Sequence, residues 1–231
     1  MIDLRRDLTQ TWRAISRTPS RGGARAVMFI SARTGEGTSS IAASFAMLAA
    51  QRSSKGVWLM DLDLTNNAQY KSFKHGAFSQ INGPMGPAHT ADLGDVSFFN
   101  VTPVNPEASS ERDRLVVHRA GKSRLLVSHF RTELLKPNQE VRIRTGAAYW
   151  QKVRSIADWI IVDAPSIDQS GAGLAVCSQM DAVVTVVRAD KTPVAEAARI
   201  SQEIEAHGGV CAGVVLNAVK GDAQFMDQFA G

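Results

Sequence analysis

A polar turn at 31–40, SARTGEGTSS, lies between an apolar run at 26–30 and a second apolar run at 41–50. A strand, a glycine-bearing turn and then a helix leave the helix's first N–H groups facing the turn, a construction that cradles phosphate. Set on the phosphate-loop pattern of a small residue, four variable positions, Gly, Lys and Ser/Thr, the stretch reads Ala32, Arg33, Thr34, Gly35, Glu36, Gly37, Thr38, Ser39. Thr38 stands where the pattern has the lysine that neutralises the β- and γ-phosphates. Gly35, Glu36, Gly37, Thr38, Ser39 and Ser40 are therefore candidates for holding a nucleotide, with cleavage in question.

The other apolar runs fit the same architecture. Residues 56–60 read as a buried strand running into Asp61, Leu62 and Asp63. Carboxylates at the carboxyl end of a strand lie where open α/β sheets bind ligands, so Asp61 and Asp63 are candidates for holding Mg2+ or orienting an attacking water. Taken alone, aspartates there are usually loop starters or helix caps; their place one strand after the phosphate turn favours chemistry. Residues 159–162 form a hydrophobic strand ending in Asp163, the Walker B arrangement, in which the carboxylate reaches the Mg2+ shell together with Ser39. Residues 181–188 read as a further strand, 194–207 as a helix opened by Pro193 and stopped by Gly208 and Gly209, and 210–216 as a last strand ending at Asn217. An asparagine offers a donor and an acceptor, which suits an adenine edge. Several such βα units predict an α/β fold, a mostly parallel sheet with helices on both faces.

With 231 residues and 44% apolar content the chain suits one α/β domain with a real core. It carries no apolar run of about 18 residues, no secretory start, and two isolated cysteines, so a cytoplasmic protein is expected. The division expected is an N-terminal helix and linker at 1–24, the α/β domain at 25–220 and a short tail at 221–231. Leu4, Leu8, Trp12 and Ile15 recur at helical spacing; such a helix meets a membrane surface, a neighbouring subunit or its own domain. The pattern weakens after residue 65, and 112–154 holds eleven Lys/Arg against three Asp/Glu. That segment reads as a contact for nucleic acid or lipid headgroups, or as a solvated face. The histidines show no metal-ligand spacing.

Taken as a set, GEGTSS, WLMDLD, WIIVDAP and GVVLN resemble the deviant-Walker P-loop ATPases of the MinD and ParA class. Within it the chain is most similar to the cytoplasmic domains of bacterial tyrosine kinases and their relatives that regulate exopolysaccharide polymerisation and export. Gly35, Gly37, Ser39, Asp61, Asp63 and Asp163 map onto that family's motifs. The resemblance implies ATP or ADP with Mg2+, a membrane-embedded co-polymerase or export protein as partner, and residence at the inner face of the membrane; nucleic acid is not expected. There are three departures. Thr38 replaces the family's lysine, the only tyrosines are Tyr70 and Tyr149, and the family's N-terminal acidic-and-arginine pattern appears as Gln10, Arg13 and Ser16, which leaves homo-oligomerisation open. The expectation is a nucleotide-binding regulator or adaptor of a cell-surface polysaccharide system, capsule, exopolysaccharide or holdfast, with weak or absent kinase activity. If active, it is an ATPase or a tyrosine-kinase-like phosphotransferase. A ParA- or MinD-like positioning ATPase and a nucleotide-free scaffold stay as alternatives. Arg33, Arg188 and Lys191 are candidates for a substitute cation.

Overall fold

Near-continuous runs of Val, Ile, Met and Trp have no polar face, so their strands must be covered on both sides. They form the centre of the sheet in the computed structural model, which describes residues 1–91, 93–94, 96–104, 111–189 and 191–219. The strands are β1 (Arg25–Ser31), β2 (Val57–Asp61), β3 (Met85–Thr90), β4 (Phe99–Thr102), β5 (Leu115–Ala120), β6 (Leu125–Phe130), β7 (Glu140–Ile143), β8 (Trp159–Asp163), β9 (Ala182–Arg188) and β10 (Cys211–Asn217). Eight of them make one sheet in the order β10-β9-β1-β8-β2-β6-β5-β3. Pairing is parallel from β10 to β6 and antiparallel from β6 through β5 to β3. The expected mostly parallel α/β sheet is what forms. Strands β4 and β7 pair separately as a small antiparallel ribbon.

Alternate residues of each central strand feed two cores, as the two-residue period of a strand requires. Val27, Phe29, Leu59, Trp159 and Ile161 face one side, where α2 (Thr38–Ala50), α3 (Ala68–Lys74) and α4 (Ala77–Asn82) pack. Met28, Ile30, Trp58, Met60, Ile160 and Val162 face the other, against the β4–β7 ribbon, α6 (Ala147–Val153), α7 (Ala172–Val176) and α8 (Val194–Ala206). A further single turn, α5 (Glu111–Arg114), leads into β5.

The N-terminal helix α1 (Thr9–Ile15) turns its apolar side onto its own domain. Leu8 and Ile15 are buried, and the Trp12 ring lies 4.6 Å from Trp159 and 5.5 Å from Phe45. This cover explains why α2 is apolar nearly all round: it is enclosed between the sheet and α1. Ahead of α1, the backbone N–H of Leu4 donates to the Ser44 hydroxyl at 2.9 Å and that of Ile2 to Ser40 at 3.2 Å.

The basic segment is no single surface. Arg154 is buried, pairs with Asp181 at 2.6 Å and donates to the carbonyls of Ala24 and Gln179, tying α6 to the amino ends of β1 and β9. Arg114 is also buried and donates to the Leu134 carbonyl at 3.1 Å. No helix among the described residues is long and apolar enough to cross a membrane. The expected tail at 221–231 lies outside the described residues.

Candidate functional site

The turn between β1 and α2 is built on two left-handed glycines, Gly35 at φ +87° and Gly37 at φ +92°. Only glycine adopts that geometry without strain, and at Gly37 a Cβ would meet the Asn217 side chain at 2.1 Å. Two side chains expected to touch ligand also brace this turn. Glu36 is buried; its carboxylate accepts from the backbone N–H of Arg33 at 3.0 Å and from the Thr192 hydroxyl, while the residue also lines the cavity below the turn. Asn217 donates to the Glu36 carbonyl at 2.8 Å and accepts from the N–H of Ala218 at 2.9 Å, so both ends of its amide are engaged within the protein.

Thr38 opens α2 with 7% of its surface exposed, and its hydroxyl has no hydrogen-bond partner. Thr38, Ser39 and Ser40 line a cavity of about 260 Å³ together with Gly35, Gly37, Asp61, Asp63 and Asp163. Arg33 also lines it, paired at its rim with Glu196 at 2.9 Å. Lys191 is exposed in the loop after β9. A neighbouring cavity of about 500 Å³ shares Asp63, Pro165 and Gln169 and is walled by Leu62, Val141 and Ile143.

The aspartates play different parts. Asp61 and Asp163 lie opposite each other in register at the carboxyl ends of β2 and β8, each 3% exposed. Asp61 accepts from the N–H groups of Asp63 (2.9 Å) and Gln69 (3.1 Å). Asp63 is less buried and accepts from the N–H of Asn66 at 3.2 Å, closing the turn after β2 as a loop starter does while its side also lines the cavity. Asp163 accepts from Gln69 Nε2 at 2.7 Å through one oxygen, while its Oδ1 makes no hydrogen bond. Burial, and then the neighbouring Asp163 charge, push the Asp61 carboxyl well above the usual range. Burial raises Asp163 too; the Gln69 amide and the nearby Ser39 hydroxyl pull it back.

Sequence reasoning missed Gln69. It is fully buried at the start of α3, and Nε2 donates both to Asp163 and to the Ser39 carbonyl at 2.9 Å. A glutamine in an amphipathic segment gives no local sign of this. Asp168 was also missed: it accepts from Ser166 and from the Thr34 backbone N–H at 3.3 Å, and the Ser166 hydroxyl leads in holding its carboxyl below the usual range.

The residues present fit a phosphate-bearing ligand with a hard cation. A glycine cradle opens onto a helix start, and the Thr38 hydroxyl and Asp163 Oδ1 are buried polar atoms left without partners beside it, the kind of deficit that a bound group or water normally fills.

The chain is 28% identical over 194 residues to the tyrosine-protein kinase CpsD of Streptococcus agalactiae, a match covering 82% of this chain and 73% of that protein. The VpsO kinase domain superposes with a TM-score of 0.60 at 17% identity, covering 94% of this chain and 95% of that one. The chain is similar to bacterial tyrosine kinases and shares their fold. The cell division protein MinD of Aquifex aeolicus gives a TM-score of 0.52 at 15% identity, covering 88% and 73%. A plasmid partition protein of Borrelia burgdorferi bound to AMPPNP gives 0.51 at 12%, covering 89% and 80%. The resemblance to the MinD and ParA class read from the four motifs therefore holds at the level of fold. No family model matches the chain.

Proposed function

We propose that this protein binds ATP or ADP with Mg2+ at the β1–α2 turn and acts as a regulator or adaptor of a cell-surface polysaccharide synthesis or export system, with weak or absent kinase activity. The observation that carries the reading is the pair of unpartnered buried atoms, Thr38 Oγ1 and Asp163 Oδ1, beside the glycine cradle. The backbone N–H groups at the start of α2 would hold the phosphates. Ser39 and Asp163 would hold Mg2+, with Asp61 behind them; the cation would neutralise phosphate charge.

Two features support weak phosphoryl transfer. A cation about 4 Å from a phosphate contributes about 4 kcal/mol at an effective dielectric near 20, roughly three powers of ten in rate if it acts only in the transition state. Thr38 supplies none of this. The two tyrosines are also poorly presented: Tyr149 is buried, and Tyr70 is stacked 3.7 Å from the His129 ring.

The similarity to tyrosine kinases supports a membrane-embedded co-polymerase or export protein as partner and a place at the inner face of the membrane. A positioning ATPase that grips lipid or DNA directly is disfavoured, because the apolar side of α1 is committed to the domain and two cations of the basic segment are buried. Calorimetric titration with ATP and ADP, with and without Mg2+, tests the reading. Mg2+-dependent binding that Asp163→Asn abolishes is expected. No binding at millimolar nucleotide would leave the scaffold.

A further inference from the structure

Four carboxylate oxygens meet at the ends of β2 and β8, and three of them are occupied by donors. Both Asp61 oxygens accept backbone N–H groups, one of them from Gln69, and one Asp163 oxygen accepts the Gln69 side chain. Asp163 Oδ1 alone is left open. Gln69 thus contributes to two of the three donor contacts from one buried residue. Its side-chain amide has a defined orientation, because both neighbours of Nε2, the Ser39 carbonyl and Asp163, are acceptors. The opposite end, Oε1, is buried with no partner.

We propose that Gln69 is a positioning residue for the cation that accompanies the nucleotide. It fixes Asp163 with one oxygen free and ties it to the first turn of α2, so that the carboxylate and the Ser39 side of the phosphate turn keep one spacing. The inference rests on the nucleotide reading above and adds a residue outside the motif set. Without the amide, Asp163 would lose the side-chain donor that orients it and the bridge through Gln69 to the Ser39 carbonyl.

The discriminating quantity is the gain in nucleotide affinity produced by Mg2+, measured by calorimetry with ADP in the presence of Mg2+ and again with a chelator. Gln69→Met keeps length and burial but removes both donors. Its Mg2+ gain should fall about tenfold, as expected for a lost charge-assisted hydrogen bond, while affinity in chelator stays within about twofold by that same account. Gln69→Leu, apolar and without donors, should show the same selective loss and serves if the Met variant does not fold. A purely structural role would lower affinity in Mg2+ and in chelator together, and that result would overturn the proposal. So would an unchanged Mg2+ gain in either folded variant, with the nucleotide reading left standing. A wild-type protein that binds no nucleotide, or gains nothing from Mg2+, would remove the nucleotide–Mg2+ reading and this proposal with it.

Discussion

Asp61 and Asp163 face each other in register across β2 and β8, buried, with the Gln69 side chain bonded to one and its backbone to the other. Two carboxyl groups so placed cannot both carry charge cheaply in the absence of a cation. The same arrangement that suits Mg2+ therefore weakens the empty domain, a trade between stability and function.

That trade has a pH signature. Both carboxyls are raised above their ordinary value of 3.8. The folded chain then binds their protons more tightly than the unfolded chain, so this contribution to stability declines as pH rises from about 3.8 through the raised values. In Mg2+-free, nucleotide-free protein, Asp163→Asn should flatten the fall of melting temperature between pH 4 and neutrality, on the order of the linkage between the two states. Equal slopes in wild type and variant would show that the pair stays charged.

Thr38→Lys should restore a cation beside the phosphates. Its attraction to one phosphate charge at about 4 Å is about 1 kcal/mol in water and more where water is excluded, so ATP affinity should rise about tenfold or more. Titration calorimetry reads the change. No rise would mean that phosphate does not rest at the head of α2.

Arg154 and Asp181 form a buried pair at 2.6 Å, and Arg154 also serves two carbonyls. Removing one partner strands a buried charge, so Arg154→Met should lose about 3–5 kcal/mol of stability in urea. A loss below about 1 kcal/mol would be that of a solvated surface pair.

Trp12 joins α1 to the domain through Phe45 and Trp159. Trp12→Ala should cost about 2 kcal/mol, less than the 3–5 of a fully enclosed tryptophan, since Trp12 is half-buried. Because that apolar side is already covered, the wild-type protein alone should not float with anionic vesicles, and recruitment to a membrane should need a protein partner. Flotation of the wild type that Trp12→Ala abolishes would reverse this assignment.

Much of the fold was legible because it is local. The turn at 31–40, the apolar strands and Pro193 with Gly208 as helix punctuation each act within a few residues, and the alternation of βα units leaves few topologies. Residues 65–145 gave weaker signals. Strands β5 and β6 are short; they pair with each other as a local hairpin, and their place in the sheet is set by β2 and β3, partners far along the chain. The candidate site divided in the same way. Gly35, Gly37, Ser39, Asp61, Asp63 and Asp163 do gather around one cavity. Glu36 and Asn217 meet each other and brace the turn, which spacing alone does not reveal.

The sequence by itself determined the order of elements, the glycine turn and the lack of a lysine at position 38, because backbone geometry and residue chemistry at one place settle these. Only the tertiary structure decided which oxygen of which aspartate stays open, that Gln69 holds it there, and that Arg154 is a buried ion-pair partner instead of a surface cation. Those facts depend on distances between residues as far apart as Ser39, Gln69 and Asp163, and such distances exist only once the sheet has closed around them.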